Sequence, residues 1–550
     1  MRYSPSIAIR SILFILVFGF LSIESHATSS PETKQQVENY RKVQTYLSKH
    51  PPYQSVLAAE GRFINVFNPE LLPYIKAPLN AKRFRKLEKL ILPHLTINLT
   101  SKGFAQAAER VAEGEKDDTN YNAIWVRDSG WIFFSMLERG QVNAQEKEKA
   151  RRLILALWDY YATDRQLKRM KAVIDNPKLA NQGTMNVLHI RFDGNSPSLD
   201  DVYVNGKPQN WNHRQNDAHG IFLMAVAEGW SKGLIKKADL TPSRLKVLSL
   251  FPAYFNAIDF ATFEDAGAWE EISKVNTSSV AFVVRAMELW GSVLKANADL
   301  QNSIEQAAKK EKVKWSNKLL NQLVDKGYAT IKRQLTMGGE SPDYPPTDLR
   351  FRRADAALFN LILPTPLARL SQNEKRQVVT ILERLERPFG IIRYARDSYQ
   401  SGNFWIKAPG ASKHKDAPAL TGDASSETLF LARLANLIPD TEAQWFFDSK
   451  LAMIRAHLAE GEKDKLLQLQ DVFFAQVHLK RALGQVTGSY GKAGLIAADG
   501  NSVADWKVPE SINSVKIGDE LHYLPSPITP LNWAKASLSM ALGRVEFLLK

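Results

Sequence analysis

A chain of 550 residues that is 44% apolar can bury a large core. It contains no cysteine, which excludes a disulfide framework, a thiolate metal site and a thiol nucleophile. The formal charge of +14 would suit a nucleic acid, but Lys and Arg are interleaved with Glu and Asp along stretches such as 146–152 and 374–387, as on solvated helix faces, and no nucleic-acid motif accompanies them, so no nucleic-acid partner is expected.

At the start of the chain, Arg2 and Arg10 precede an apolar run over 11–23 that is too short to span a bilayer comfortably, and the small residues of Ser25-His26-Ala27 follow. This predicts a signal peptide over 1–27, a mature chain from Thr28, and a secreted or periplasmic location. An uncleaved anchor is the competing reading, which the shortness of the run disfavours. No later stretch of about 18 apolar residues is free of charge, so no stable membrane insertion is expected after cleavage. A helical extension is expected over 28–97, covering one side of a single catalytic domain over 98–550.

Apolar residues recur at three- and four-residue spacing over 150–161, 219–234, 278–300, 354–363, 374–385, 427–437, 443–458, 465–483 and 531–549, and each stretch predicts a helix with one buried face. Alternating strand-like runs are few and short, so the chain reads as all-α. The longer loops between helices, at 119–128, 202–217, 265–276, 337–353, 393–405 and 499–530, hold an unusual share of Trp, Tyr, Arg, Asp and Glu. Loops carried on a rigid scaffold commonly hold the functional groups.

Trp269-Glu270-Glu271 is the first candidate. A carboxyl beside an indole is partly desolvated, which raises its pKa and suits a general acid. Taken alone, two glutamates near a helix N-terminus more often stabilise the helix dipole. Their company changes the odds. The loop before one helix holds Tyr121, Trp125, Arg127 and Asp128, a second cluster runs Arg393-Tyr394-Ala395-Arg396-Asp397-Ser398-Tyr399 and on to Trp405, and a third is Trp211-Asn212-His213-Arg214-Gln215-Asn216-Asp217. Aromatic faces cover the C–H face of a pyranose, and Arg and Asp bind its hydroxyls. One such cluster is as well read as a buried salt bridge, but three in one helical chain point to a sugar.

The ten histidines show no metal-ligand spacing, so His213 and His219 read as structural and no metal site is expected. Neither a phosphate-cradling Gly loop nor a Gly-x-Ser-x-Gly elbow is present, and no cofactor is needed.

These motifs resemble glycoside hydrolase family 15, the glucoamylases, in the expected order across roughly 121–533. The family's Trp-x-Arg-Asp-Ser-Gly falls on Trp125 to Gly130 with its Tyr on Tyr121. Its Trp-Glu-Glu and Asn-x-Ser-Ser fall on Trp269-Glu270-Glu271 and Asn276-Thr277-Ser278-Ser279. Its Arg-Tyr-x-x-Asp-x-Tyr and Gly-Asn-x-Trp fall on Arg393 to Trp405, and its base loop and downstream Trp on Pro509-Glu510 and Trp533. The resemblance implies an (α/α)6 barrel, a six-hairpin toroid with the site among long loops. It implies an inverting glucan 1,4-α-glucosidase-like enzyme that releases glucose from α-glucans or maltooligosaccharides, with Glu270 as general acid and Glu510 as base. Tyr121, Trp125, Arg127, Asp128, Trp211, Trp269, Arg393, Asp397, Trp405 and Trp533 would bind substrate, with Glu271 an electrostatic neighbour.

Two motifs depart from the family. Of the Gly-Arg-Pro-Gln-x-Asp-Gly of fungal members this chain keeps only Gln215 and Asp217, and Glu510 is followed by Ser511 rather than Gln. The family also includes trehalose and α-1,6-glucan hydrolases, and a non-catalytic glucan-binding barrel is the alternative from another class.

Overall fold

The computed structural model describes residues 31–109, 121–141, 143–204, 206–403, 406, 427–435 and 437–549. Residues 1–27, where a signal peptide is expected, and Trp405 lie outside the described residues.

Helix starts follow local chemistry. Asn143 accepts from the backbone N–H groups of Gln145 and Glu146 to open Ala144–Tyr161, and Thr241, with Pro242 in the first turn, caps Pro242–Ala257. Ser371 and Glu374 form a reciprocal capping box on Gln372–Glu383.

Six helical segments form a closed inner ring: Val126–Arg139, Asn216–Ser231, Thr277–Lys295, the 3-10 helix Ala356–Leu361, Asp448–Gly461 and Asn532–Leu548. Each packs on the next, and the last packs on the first. Ala81–Ile91, Ala144–Tyr161, Pro242–Ala257, Asn317–Met337, Gln372–Glu383 and Lys465–Gly484 alternate with them along the chain and stand outside. The architecture is therefore an (α/α)6 barrel. Inner helices are buried almost all round, as residues 216–227 show. The second and third approach so closely at Gly220 that a Cβ there would stand 2.7 Å from the Phe282 main chain.

The structure modifies several of the expected elements. The 354–363 stretch forms only a six-residue 3-10 helix, capped by Asp355 and followed by Pro364 and Pro366. The 278–300 stretch breaks at Ala296 and Asn297 into Thr277–Lys295 and Ala298–Lys310. The 499–530 loop contains a hairpin, Ser511–Ile517 with Glu520–Pro525, whose first strand also pairs with Gln444–Trp445.

The N-terminal extension is helical only in part. Gln54–Leu57 and Phe63–Val66 form an antiparallel hairpin that lies on the Lys465–Gly484 helix, where the Phe67 N–H donates to the Gly484 carbonyl at 3.0 Å and Lys480 pairs with Glu60 at 2.6 Å. Ala81–Ile91 takes a place in the outer ring beside Asn532–Leu548. Among the described residues no helix is long and apolar enough to cross a membrane.

Candidate active site

The residues just before the six inner segments are Trp125, Gln215, Asn276, Asp355, Phe447 and Leu531. The N-termini of these segments gather at one end of the barrel, where their positive dipole ends favour negative charge. A cavity there is lined by Tyr121, Trp125, Arg127, Asp128, Trp211, Trp269, Glu270, Arg393, Glu510 and Trp533, together with Ala107, Ala268, Tyr399, Trp445 and Leu531.

The loop 265–276 sets the two adjacent glutamates apart. Asp265 and Lys274 pair across it, and the Asn276 side-chain nitrogen ties its two arms by donating to the Asp265 carbonyl and carboxylate and to the Lys274 carbonyl. Glu270 ends the short 3-10 turn Gly267–Trp269 in the left-handed region at φ 58°, a conformation costly for a non-glycine residue. That turn sends Glu270 into the cavity and Glu271 behind it. Trp269 is pinned from behind by its indole N–H donating to Asp355 at 2.7 Å.

One oxygen of Glu270 accepts from the Trp125 indole N–H at 3.1 Å and from Arg127 at 3.0 Å. Arg127 also donates to Gln215 at 2.8 Å and Asp217 at 3.3 Å, so one buried guanidinium serves two carboxylates. Burial pushes the neighbouring Asp128 carboxyl up to about 7, with Arg127 acting in the opposite direction.

Behind the wall, Arg393 grips Asp397 with two bonds, at 2.6 and 2.7 Å, and reaches Glu271 at 2.7 Å. Arg433 adds a contact to Glu271 at 3.2 Å, and the Tyr394 hydroxyl donates to it. Burial works to raise Glu271, but Arg393 and then Arg433 outweigh it and hold the carboxyl below its ordinary range. Glu271 and Asp397 do not line the cavity. They act on it through Arg393, whose guanidinium lies among the rings of Tyr399, Trp269 and Trp445 at 4.7 to 5.3 Å.

Glu510 stands just before the strand Ser511–Ile517, beside Trp445. One of its oxygens accepts from the Tyr121 hydroxyl at 3.2 Å and the other from the Gln400 amide. Burial pushes this carboxyl up to about 8, against the opposing pull of Gln400, Arg393 and Tyr121.

Trp125 and Trp211 clasp the Arg191 guanidinium at 4.5 and 4.1 Å, which fixes both indoles against the cavity. His213 stacks on His189 at 3.7 Å and accepts from the Ile190 N–H, while His219 meets the Tyr161 hydroxyl at 2.8 Å. Tyr399 and Trp445 line the cavity as well, although the sequence assigns neither of them a binding role. Tyr399 sits inside the 393–405 motif, but Trp445 is brought in by its pairing with Ser511 and Ile391, which no local pattern announces.

A helical toroid whose pocket brings Glu270, Glu510 and Asp128 together among tryptophans and arginines has the make-up of a glycoside hydrolase. The sequence profile of glycosyl hydrolases family 15 matches residues 89–458, more than half of the chain, and the chain belongs to that family. Glu510 and Trp533 lie beyond the matched residues. A glucoamylase from Saccharomycopsis fibuligera shares the fold, with a TM-score of 0.51 and 14% identity over 85% of this chain and 95% of that one. Hormoconis resinae glucoamylase aligns with a TM-score of 0.45 and 12% identity over 84% of this chain and 73% of that one. Among curated proteins of Escherichia coli K12, "Uncharacterized lipoprotein YgeQ" is 41% identical over 153 residues, 27% of this chain and 56% of its own length. "Putative protein YgeP" is 52% identical over 59 residues, 11% of this chain and 60% of its own length. The matches thus span between half and two thirds of these curated relatives.

Proposed function

We propose that this protein is an exo-acting, inverting α-glucosidase that removes glucose from the non-reducing ends of α-glucans outside the cytoplasm. The observation that carries this is the placing of Glu270 and Glu510, 9% and 4% exposed, in one tryptophan-lined pocket. Such an enclosed pocket suits a chain end.

In the reaction, Glu270 gives its proton to the glycosidic oxygen as the bond from that oxygen to C1 breaks. Glu510 takes a proton from a water that attacks C1 from the opposite face. No covalent glucosyl-enzyme forms. The protons then return through solvent, leaving Glu270 protonated and Glu510 charged. Arg127, Asp128 and Arg393 hold the sugar hydroxyls, and the indoles cover its C–H faces. Export is supported by the leader-like segment 1–27.

Proton NMR on the first turnovers tests the mechanism: β-glucose must appear before mutarotation, and initial α-glucose ends the inverting proposal. Glucose release from maltose, maltotriose, isomaltose and trehalose in parallel decides the linkage.

The upward push on Glu510 favours a second reading in which Glu510 is the protonated acid and Glu270 the base. α-Glucosyl fluoride separates the two, because fluoride leaves with little protonation. If Glu270 is the acid, Glu270→Gln keeps turning over the fluoride while Glu510→Gln does not. The reverse result exchanges the roles.

A further inference from the structure

Glu510 is followed by Ser511, where the resemblance leads one to expect a glutamine beside the base. The structure supplies an amide from another loop. Gln400 is fully buried, sits in the left-handed region at φ 58°, and donates through its side-chain nitrogen to one Glu510 oxygen.

The orientation of that amide is fixed by its other contacts. The Asn513 side-chain atom 3.1 Å from the Gln400 main-chain carbonyl must be nitrogen, because a carbonyl only accepts. The same nitrogen lies 3.1 Å from the Gln400 side-chain oxygen, which also accepts from the Ser511 hydroxyl at 2.7 Å. The remaining amide corner, facing Glu510, is therefore a donor. Asn403 binds Lys516 in both directions, its amide donating to the Lys516 carbonyl at 3.0 Å and its oxygen accepting from the Lys516 N–H at 2.7 Å, which ties the Gln400 loop to the strand after Glu510.

We infer that Gln400, aimed by Ser511 and Asn513, is the positioning residue that holds Glu510 in place and favours its charged form as the catalytic base. The inference rests on the proposed role of Glu510. The other groups facing Glu510 are Tyr121 from the loop before the first inner helix, Asp128 in that helix, and Arg393 and Tyr399 from the Gln400 loop; the Tyr399 hydroxyl lies 2.8 Å from that of Tyr121. Of the two groups that donate to the carboxylate itself, only Gln400 is fully held by the strand that follows Glu510.

The test is the pH dependence of kcat and kcat/KM on maltotriose for wild type, Gln400→Met, Ser511→Ala and Glu510→Gln. In Gln400→Met the acid limb of kcat/KM should move up by about one pH unit and kcat should fall about tenfold or more, with KM changed less than about threefold, because one bond to a carboxylate is lost. Ser511→Ala keeps the donor but frees the amide to rotate, so it should move the limb the same way by less. If Gln400→Met does not fold, Ser511→Ala decides alone. An unmoved limb in the folded variants, or a loss confined to KM, overturns the role of Gln400 if Glu510→Gln is inactive. Substantial activity in Glu510→Gln, or movement of the alkaline limb in place of the acid limb in Gln400→Met, instead overturns the base assignment and the inference with it.

Discussion

Glu270 and Glu510 line the same cavity, but the two sides of that cavity are built from different chemistry. On the Glu270 side a guanidinium is the main donor, and Arg127 ties Glu270, Asp217 and Gln215 into one buried network. On the Glu510 side the direct donors are a hydroxyl and an amide, both neutral, and burial prevails over them. A carboxylate paired with a buried cation belongs to a network whose members cannot be removed one at a time without stranding a charge. One held by neutral donors keeps a charge that its surroundings can shift in either direction. Two carboxylates with environments so different can divide acid and base work within a single pocket.

The largest expected effect comes from breaking the charged side. Arg127→Met leaves Glu270 and Asp217 buried without their shared cation, and should destabilise the fold by about 3–5 kcal/mol in denaturant unfolding. In the fraction that folds, kcat/KM should fall by at least about a hundredfold, since the hydroxyl contacts proposed for Arg127 are lost as well. Retention of kcat/KM within about tenfold would return this network to a purely structural role.

On the neutral side the effect depends on pH. The Glu510 carboxyl is raised in the folded state, from 4.5 to about 8, so the folded protein binds this proton more readily than the unfolded chain does. Its contribution to stability is complete below about 4.5 and is lost as pH rises toward 8. Glu510→Gln removes that dependence. The variant should gain several degrees in Tm over wild type at pH 8.5, and little or nothing at pH 4.5. Equal Tm differences at both pH values would mean that Glu510 is not desolvated in solution.

Much of this contrast can be traced to individual residues in the sequence, and the remainder has a physical reason for being hidden. Amphipathic outer helices such as Ala144–Tyr161 and Gln372–Glu383 declare themselves by periodicity and caps. Pro242–Ala257 does not, because it is buried on most sides and carries Pro252 inside, so apolar residues run together without a period. The hairpin 511–525 turns on Gly518-Asp519, a recognisable two-residue signal, but it sits in a stretch whose charged and aromatic composition reads as loop. Clusters around Trp125, Trp269 and Arg393 are legible because each is local. Which of Glu270 and Glu271 enters the cavity depends on one left-handed residue, and the bond from Gln400 to Glu510 joins positions 110 apart. No local pattern carries either fact.

The smallest effect concerns a third way of holding charge, beneath the pocket. Lys450, 1% exposed in the first turn of Asp448–Gly461, places its Nζ 3.0 Å from the centre of the Trp131 ring and 4.9 Å from that of Trp533, and has no hydrogen-bond partner among the described residues. Burial pushes its pKa well below the ordinary lysine value, with Asp128 acting the other way. For a lowered lysine the unfolded chain binds the proton more readily, so the side chain detracts from stability as pH falls below about 10.5. Lys450→Met keeps the aliphatic stem and the packing on both indoles while removing the unpartnered amine, and should stabilise the protein by about 1–3 kcal/mol at pH 7. Only Trp533 of these two rings lines the cavity, so kcat/KM should stay within about threefold of wild type. Loss of more than about tenfold, with Tm raised as expected, would place the Lys450 charge in the electrostatics of Asp128 and extend the charged side of the pocket to the barrel floor.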